Sequence, residues 1–228
     1  MDIKIITSGS SGNAYLIGDG KTRLLLDAGI SFKRIQVGCG FQTSSIDACL
    51  VTHRHGDHAM AIPKLLQRGI TVYSNPDVTE LHKGVRALAP LQEHTIGTFR
   101  ILPFEAEHDV PCYGYQATSV ETGEKLVYIT DSAYVKYTFS GLTHIMIEAN
   151  YAQEIIIDNA KHERIPLYLA ERVIQTHMSI ETLLDLLQAN DMSKVRQIYL
   201  LHLSDGNSDA EAFKRQVQQE TGAEVYIA

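Results

Sequence analysis

Cysteine is scarce in this sequence, and its three cysteines lie far apart. They are Cys39, Cys49 and Cys112, and no CxxC pair is present. An odd number of widely spaced cysteines argues against a disulfide framework and fits a reducing compartment. Cys49 lies in an apolar run and is expected in the core. Cys112 is expected to be structural too, with a metal ligand or a reactive thiol as the alternative.

Long hydrophobic runs are also absent. No apolar run approaches the roughly 20 residues that cross a bilayer. The N-terminal segment, Met-Asp-Ile-Lys-Ile-Ile, lacks the basic region, long apolar region and cleavage site of a signal peptide. We therefore expect a cytoplasmic protein that does not act at a membrane.

The sequence shows no repeat of fixed short period, no low-complexity tract and no linker. Of its 228 residues, 44% are hydrophobic, which is enough for one substantial core. A single domain over residues 1–228 is therefore expected. The sequence alone does not indicate an oligomeric state.

Positive charge is in deficit, because the formal net charge is -7 with histidine neutral. The chain as a whole is therefore not an electrostatic nucleic-acid binder. This weakens a nuclease interpretation without excluding it, since bound divalent metals would offset part of the charge locally.

The pattern of apolar runs and turn residues predicts about twelve strands in two groups, with helices between them. Short strands joined by tight turns indicate an antiparallel start. Helices are predicted over residues 31–37, from residue 59 to about 68, and over 75–84, 151–161 and 180–189. Ser31, Asn75 and Ser179 are the expected N-caps, and residues 208–211 form an expected capping box that opens a last helix. Stacked sheets with helices outside are the natural packing.

Metal-ligand side chains are concentrated in residues 52–58, which read Thr-His-Arg-His-Gly-Asp-His. An apolar run precedes them and a helical pattern follows, so His53, His55, Asp57 and His58 lie on a strand-to-helix loop. Such a loop can aim several side chains at one point. Imidazole and carboxylate are ligands that zinc, iron and manganese favour. The loop therefore predicts a metal site.

Three further candidate ligands each follow an apolar strand directly. They are His108, Asp131 and His202. A polar group at a buried strand end needs a partner, and a metal ion supplies one. Taken alone, each is more often structural, and Asp131 would simply cap the next turn. Together with residues 52–58 they predict two coordination spheres.

The residue 52–58 stretch resembles the HxHxDH motif of the metallo-β-lactamase superfamily. Further resemblance, closest to the WalJ/YycJ-like exonuclease and phosphodiesterase subfamily, lies in residues 8–13, 25–29, 128–132, 147–151, 176–179 and 201–205. It implies an α+β fold, a four-layer αββα sandwich with the metals at one edge.

The resemblance also implies a ligand set for two divalent metal ions per chain. One ion would be held by His53, His55 and His108. The second would be held by Asp57, His58 and His202, and Asp131 would bridge the two. Zinc is the expected metal, with manganese and iron as alternatives.

Position 131 bears on the reaction, because lactamases of this superfamily generally have cysteine there. An aspartate suits a dinuclear site with a bridging hydroxide, and such sites suit displacement at phosphodiesters.

His177 is the expected proton donor to the leaving oxygen. Residues 176–179 resemble the His-containing loop of ribonuclease Z-like members, and Glu148 resembles the carboxylate that orients the histidine there. Thr176 departs from the glycine that relatives tend to have. The alternative for His177 is a residue that merely flanks a helix. Asp57, His177 and Glu148 are thus the predicted catalytic residues.

Supporting roles are expected for four more residues. Asp27 and Thr52 are predicted to orient ligands, although Asp27 also suits a strand-end turn. Ser11 and Asn13 are predicted to contact substrate, because the loop of residues 8–13 offers hydroxyls and backbone N–H groups to a phosphate. A plain hairpin connection is the alternative for that loop.

These observations predict a metal-dependent hydrolase acting on phosphodiester bonds, expected to be a nuclease. Its partner would be nucleic acid or another phosphodiester substrate. The alternative is a hydrolase of small molecules, such as a lactone, a thioester or a cyclic phosphodiester. The acidic charge motivates this alternative. A binding protein that keeps the fold without catalysis is the third hypothesis, and the intact ligand set argues against it.

Overall fold

Thirteen strands and eight α-helices make up the protein, whose computed structural model describes all 228 residues. The chain divides into two compact units. Unit 1 comprises Met1–Glu105 and Val110–Glu124, and unit 2 comprises Ala106–Asp109 and Lys125–Ala228. The single domain expected from the sequence stays a prediction.

Unit 1 is built on a six-stranded sheet in the order β1-β2-β3-β4-β5-β6. Strands β1 to β3 pair antiparallel and β3 to β6 pair parallel, so the predicted antiparallel start is confirmed. The strands are β1 (Asp2–Thr7), β2 (Ala14–Gly18), β3 (Arg23–Leu26), β4 (Ala48–Leu50), β5 (Thr71–Ser74) and β6 (Arg86–Ala87). A second group of neighbouring strands consists of β7 (His94–Ile96), β8 (Phe99–Ala106) and β9 (Cys112–Ser119).

The helices of unit 1 pack on the apolar face of this sheet. They are α1 (Phe32–Gly38), α2 (Gly56–Ala59), α3 (Ile62–Gln67) and α4 (Pro76–Leu81), with a short 3₁₀ turn at Thr43–Ser45. The predicted N-caps are confirmed, because Ser31 accepts from the Arg34 N–H and Asn75 accepts from the Val78 N–H. A cluster of fully buried residues, including Leu25, Ile35, Val51 and Leu65, joins helices to sheet.

The helix predicted from residue 59 to about 68 is confirmed over Ile62–Gln67 as α3, but residues 60 and 61 separate it from a short helix, α2, that ends at Ala59. Pro63 lies in the first turn of α3. Proline has no N–H for the carbonyl four residues earlier, and its ring clashes with that carbonyl, so α2 cannot continue through it.

Unit 2 contains four parallel strands in the order β13-β12-β11-β10. They are β10 (Lys125–Ile129), β11 (His144–Glu148), β12 (Gln197–Leu201) and β13 (Glu224–Ile227), and the helices are α5 (Gln153–Lys161), α6 (Leu167–Thr176), α7 (Ile180–Gln188) and α8 (Ala210–Thr221). β11 is buried throughout, and β10 and β12 are buried at all but their first residue, as expected of parallel strands covered on both faces. Their carboxyl ends meet at one edge of the sheet, where ligand-binding side chains commonly lie.

Two helix ends in unit 2 test the predicted caps. Ser179 caps α7 as predicted, accepting from the Thr182 N–H. The capping box starting at Ser208 is wrong, because Asp209 caps α8 by accepting from the Ala212 N–H. The Ser208 hydroxyl instead donates to the Ser204 carbonyl. None of the helices reaches the length and apolar character of a membrane span, and the cytoplasmic location stays a prediction.

Candidate metal-binding clusters

The loop after β4 and the short helix α2 bring four predicted ligands of unit 1 together. His53 and His58 are buried, while His55 and Asp57 are half-buried. His53 Nε2 lies 3.1 Å from His55 Nδ1, and the rings of His53 and His58 are 4.2 Å apart. Asp57 Oδ2 lies 3.6 Å from His58 Nε2. Imidazole nitrogens and a carboxylate are ligands that zinc, iron and manganese favour. The donor set therefore fits a cation.

Asp27 orders this cluster from the end of β3. Its Oδ2 accepts from His58 Nδ1 at 2.8 Å, and its Oδ1 accepts from the Thr52 N–H at 2.8 Å. The Thr52 hydroxyl donates to Asp27 at 3.1 Å and lies 3.0 Å from His53 Nδ1. With both Nδ1 atoms engaged, Nε2 is the nitrogen of each ring that would bind a metal, and it lies beside His55 in His53 and beside Asp57 and Asn13 in His58. A carboxylate behind a ligating histidine is the usual support of a metal site.

The backbone under the cluster is packed without space for a side chain at Gly29. A Cβ built on Gly29 would lie 1.5 Å from the Asp57 carbonyl oxygen. The neighbouring Ala28 N–H donates to the His58 carbonyl at 2.8 Å. A glycine is required here because the two chain segments run in direct backbone contact.

The two residues predicted to contact substrate have different surroundings. Ser11 is exposed, whereas Asn13 is fully buried. Asn13 Nδ2 lies 3.0 Å from His58 Nε2, and Asn13 Oδ1 accepts from the Gly9 N–H and the Tyr15 hydroxyl. The amide of Asn13 is thus aimed at a predicted ligand. A substrate contact for either residue stays a prediction.

Cys112 lies on the side of His53 away from its Nε2 atom. Its buried sulfur is 3.8 Å from His53 Nδ1. This position is that of a packing group behind the ring, which favours the structural interpretation of Cys112.

Unit 2 assembles a second cluster from Asp131, Glu148, His177 and His202. One ligand atom of each lies within 4.8 Å of the others. Asp131 comes two residues after β10, Glu148 ends β11, and His202 follows β12 directly. His177 caps the C-terminus of α6 in an extended conformation. The carboxyl ends of three parallel strands and one helix end therefore meet at this point.

Two of these residues have an unusual backbone conformation, with a positive φ angle. Asp131 has φ 49° and His202 has φ 53°, and Asp27 in unit 1 has φ 55°. Residues other than glycine seldom adopt this left-handed conformation, and such strain is concentrated at functional sites. Three of the six non-glycine residues with positive φ are thus predicted site residues.

Glu148 is the centre of the unit 2 cluster. Its Oε1 accepts from His177 Nδ1 at 2.7 Å and lies 3.1 Å from His202 Nδ1. Its Oε2 accepts from the backbone N–H groups of Ser132 and Met178, both at 3.1 Å. One fully buried carboxylate thus ties together the segments that follow Asp131 and His177. The two backbone donors could not be predicted from residue type, since every residue except proline supplies an N–H.

The protonation of this cluster follows from these contacts. Burial alone would raise the pKa of Glu148, but the charge of His177 and the hydrogen bonds from His177 and His202 lower it. Burial alone would lower the pKa of His202, but Asp131 and Glu148 raise it. Glu148 is therefore a carboxylate that stabilises positive charge on the two histidines or on a metal beside them.

His108 belongs to the short Ala106–Asp109 segment of unit 2. Its Nδ1 donates to the Thr176 carbonyl at 3.0 Å, and its ring lies 6.0 Å from that of His177. Burial lowers the pKa of His108, so the neutral ring is favoured. Thr176 fits the helix end, where its hydroxyl donates to the Arg172 carbonyl. Its carbonyl accepts from His108 Nδ1, while His108 Nε2 lies 3.1 Å from Asp109 Oδ1.

Comparison with known proteins identifies the family. The model of the Beta-lactamase superfamily domain matches residues 22–203. Exodeoxyribonuclease WalJ of Streptococcus pneumoniae is 28% identical over 91% of this chain and 83% of its own length. Exodeoxyribonuclease YycJ of Bacillus anthracis is 24% identical, over 96% and 88%.

A solved structure shows the same fold. The metallo-beta-lactamase fold protein YhfI of Bacillus subtilis superposes with a TM-score of 0.76 at 20% identity, covering 99% of this chain and 95% of its own. This likeness confirms the predicted αββα sandwich. The chain belongs to the metallo-β-lactamase superfamily, and its relatives include the WalJ and YycJ exodeoxyribonucleases.

Proposed function

We propose that this protein is a metal-dependent phosphodiesterase that acts as a nuclease. The observation that carries the proposal is the 2.7 Å contact between His177 Nδ1 and the buried Glu148 Oε1. A histidine held by a carboxylate is suited to deliver a proton, and its side chain remains 19% exposed, so it is open to substrate. The names of the WalJ and YycJ relatives support a nucleic-acid substrate.

The ligand set is the one that the sequence resemblance implies. His53, His55 and His108 would hold one divalent ion, Asp57, His58 and His202 a second, with Asp131 shared. Zinc is the proposed metal, with manganese and iron as alternatives. When bound, two such ions activate a water molecule and neutralise the charge of a phosphodiester. The ordering of His58 by Asp27, and of His202 by Glu148, supports this assignment within each unit.

The side chains of the protein supply the remaining steps. Asp27 and Thr52 keep the Nε2 atoms of His53 and His58 deprotonated. Glu148 holds His177 with Nδ1 bonded, which leaves Nε2 as the atom that carries the proton. That proton passes to the leaving oxygen, which would otherwise depart as a poorly stabilised alkoxide.

Leaving-group dependence tests the role of His177. His177→Ala is expected to slow cleavage of an oligodeoxynucleotide by about 100-fold or more, because the alkoxide leaving group needs a proton. An aryl phosphodiester with an acidic phenol as leaving group should lose far less. His162→Ala is the matched control, since His162 also contacts a carboxylate, Asp158, at 3.1 Å but is exposed at the C-cap of α5.

Two outcomes contradict the proposal. Equal losses on both substrates would show that His177 is not the proton donor. A metal-loaded wild-type protein that cleaves neither substrate would refute the nuclease function itself. In an active enzyme, His58→Ala should abolish hydrolysis of both.

The second candidate is hydrolysis of a small molecule on the same ligand set. The net charge of -7 favours it, because a long polyanion is repelled by an acidic surface. Parallel assays with a lactone, a thioester and a cyclic phosphodiester separate the two candidates by their relative kcat/KM.

A further inference from the structure

The loop that follows Asp131 forms backbone hydrogen bonds with the short segment Ala106–Asp109. The Glu107 N–H donates to the Tyr134 carbonyl at 3.3 Å, and the Ala133 N–H donates to the Glu107 carbonyl at 2.9 Å. The Ser132 hydroxyl also donates to the Tyr134 carbonyl, at 2.9 Å. The backbone of Tyr134 is therefore fixed, while its side chain is 56% exposed. A large aromatic ring is thus exposed to solvent on a backbone that hydrogen bonds hold in place.

The same segment is held on its other side by the last turns of α6. His108 donates to the Thr176 carbonyl, and Arg172 Nη2 lies 3.6 Å from Asp109 Oδ2. The Arg172 side chain is 65% exposed. An ion pair this long and this exposed contributes little to stability. Its effect is to keep a guanidinium group beside His108.

A second exposed tyrosine continues this surface along α6. Tyr168 is 73% exposed and precedes Arg172 by four residues. Residues four apart on a helix lie on one face. Residues 107 to 109 span at most about 7 Å, so Tyr134 and Arg172 are attached at neighbouring points. Two exposed aromatic rings and one guanidinium group thus belong either to the loop that contacts Ala106–Asp109 or to α6, the helix that ends at His177.

We infer that Tyr134, Arg172 and Tyr168 form a track for single-stranded DNA that leads to His177. Aromatic rings stack on unpaired bases, and arginine pairs with phosphate and stacks as well. Bases within a duplex cannot reach such rings. Three local contacts of this kind suit a protein whose formal net charge is -7. The inference rests on the proposed function and specifies its substrate as an unpaired strand.

Binding of a phosphorothioate oligothymidine to the zinc-loaded protein, followed by fluorescence anisotropy, tests the track. Tyr134→Ala should weaken binding about tenfold and Tyr134→Phe by less than about twofold, because phenylalanine keeps the stacking face. Arg172→Gln should lower the slope of log Kd against log salt by about 0.7, the value of one phosphate contact on a single strand. Arg172→Lys should restore the slope.

Chain length separates the two tyrosines. Tyr168→Ala should weaken binding of a long oligothymidine about threefold and leave a dinucleotide unaffected, since Tyr168 lies about 6 Å further along the helix than Arg172. Phe41→Ala and Arg164→Gln are the matched controls. Phe41 is an aromatic residue of unit 1 that is 75% exposed, and Arg164 pairs with Asp158 in the same exposed manner as Arg172 with Asp109. Neither control should change binding.

The inference is overturned if wild-type protein does not bind the oligothymidine, if Tyr134→Ala and Arg172→Gln bind like wild type, or if the controls lose as much. It is also overturned if a blunt duplex binds as tightly as the single strand. Hydrolysis of an aryl phosphodiester is measured in parallel on every variant. Normal aryl hydrolysis with unchanged DNA binding would refute the track alone, whereas DNA binding without any hydrolysis would refute the proposed function alone.

Discussion

The two clusters of candidate ligands are built in opposite ways. Unit 1 draws His53, His55, Asp57 and His58 from one stretch of chain, and a single carboxylate, Asp27, orders them from behind. Unit 2 gathers Asp131, Glu148, His177 and His202 from four separate elements, and its carboxylate lies at the centre. The first cluster depends on the path of a loop. The second depends on the register of parallel strands and on one shared hydrogen-bond acceptor.

The largest effect is expected where the loop of unit 1 meets the backbone beneath it. Gly29→Ala places a methyl group 1.5 Å from the Asp57 carbonyl oxygen, so the loop must move. Overpacking of this severity should cost about 3 kcal/mol or more in the free energy of unfolding. Urea unfolding measures the loss, and the zinc content of the purified variant should fall with it.

Gly56→Ala is the matched control, because a Cβ on Gly56 meets no atom within 4 Å. It lies in the same loop, directly before Asp57, and should leave stability and zinc content close to wild type. If Gly29→Ala binds zinc as well as Gly56→Ala does, the cluster of unit 1 does not depend on its backbone path.

The contrast between the clusters also reflects what the sequence could predict. The clustering of the candidate ligands of unit 1 could be predicted from seven consecutive residues, since their spacing places them on one loop. His108, Asp131 and His202 were predictable only as polar residues that follow apolar strands. The left-handed backbone of Asp131 and His202 was not predictable, because their tertiary surroundings impose it.

Elements whose local signal conflicts with tertiary contacts were predicted less well. The break between α2 and α3 is a different case, because Pro63 is a local signal in the sequence that the predicted helix did not take into account. The cap of α8 shifted from Ser208 to Asp209 because Ser208 finds a tertiary partner in the Ser204 carbonyl. The contacts of Glu148 with two backbone N–H groups leave no trace in residue type, and neither does the contact of His108 with the Thr176 carbonyl.

Removing one carboxylate charge from each unit sharpens the comparison. Asp27→Asn presents an amide to His58 Nδ1, which favours the ring form with its proton on Nε2. Zinc affinity should fall about 10- to 100-fold, as for other residues that support metal ligands. Glu148→Gln should lower zinc affinity and, in addition, increase the penalty on poor leaving groups, because Glu148 contacts both His202 and His177. Equilibrium dialysis measures the zinc affinity of both variants, and cleavage rates of the two phosphodiester substrates measure the leaving-group dependence.

Asp47→Asn is the control for both variants, since Asp47 also accepts a backbone N–H, from Arg23, but is exposed. If Glu148→Gln changes zinc affinity but leaves the ratio of the two substrate rates unaltered, Glu148 supports metal binding and not proton donation by His177. Glu148 would then resemble Asp27 in role, and the two units would differ only in layout.

The smallest effect is expected at Asp19, a carboxylate that braces unit 1 away from its ligands. Burial raises its pKa, but the Thr22 N–H, the Thr98 and Ser119 hydroxyls and the Lys21 N–H more than offset this and bring it from 3.8 to about 2. Because the folded pKa is the lower one, the stabilisation is present above pH 4 and is lost as the pH falls toward 2. Since Asp19 is partly exposed, screening limits this stabilisation to about 1 kcal/mol.

Urea unfolding of wild type and Asp19→Asn at several pH values tests this brace. The stability difference should be about 1 kcal/mol above pH 4 and shrink below it, because protonation abolishes the charge that the variant lacks. Glu220→Gln removes an exposed carboxylate on α8 and should show no such trend. A stability difference that stays constant from pH 5 to pH 2 would mean that Asp19 acts through its shape. In that case the charge of Asp27, behind the candidate ligands, would be the one that orders unit 1. The rest of unit 1 would rely on backbone packing.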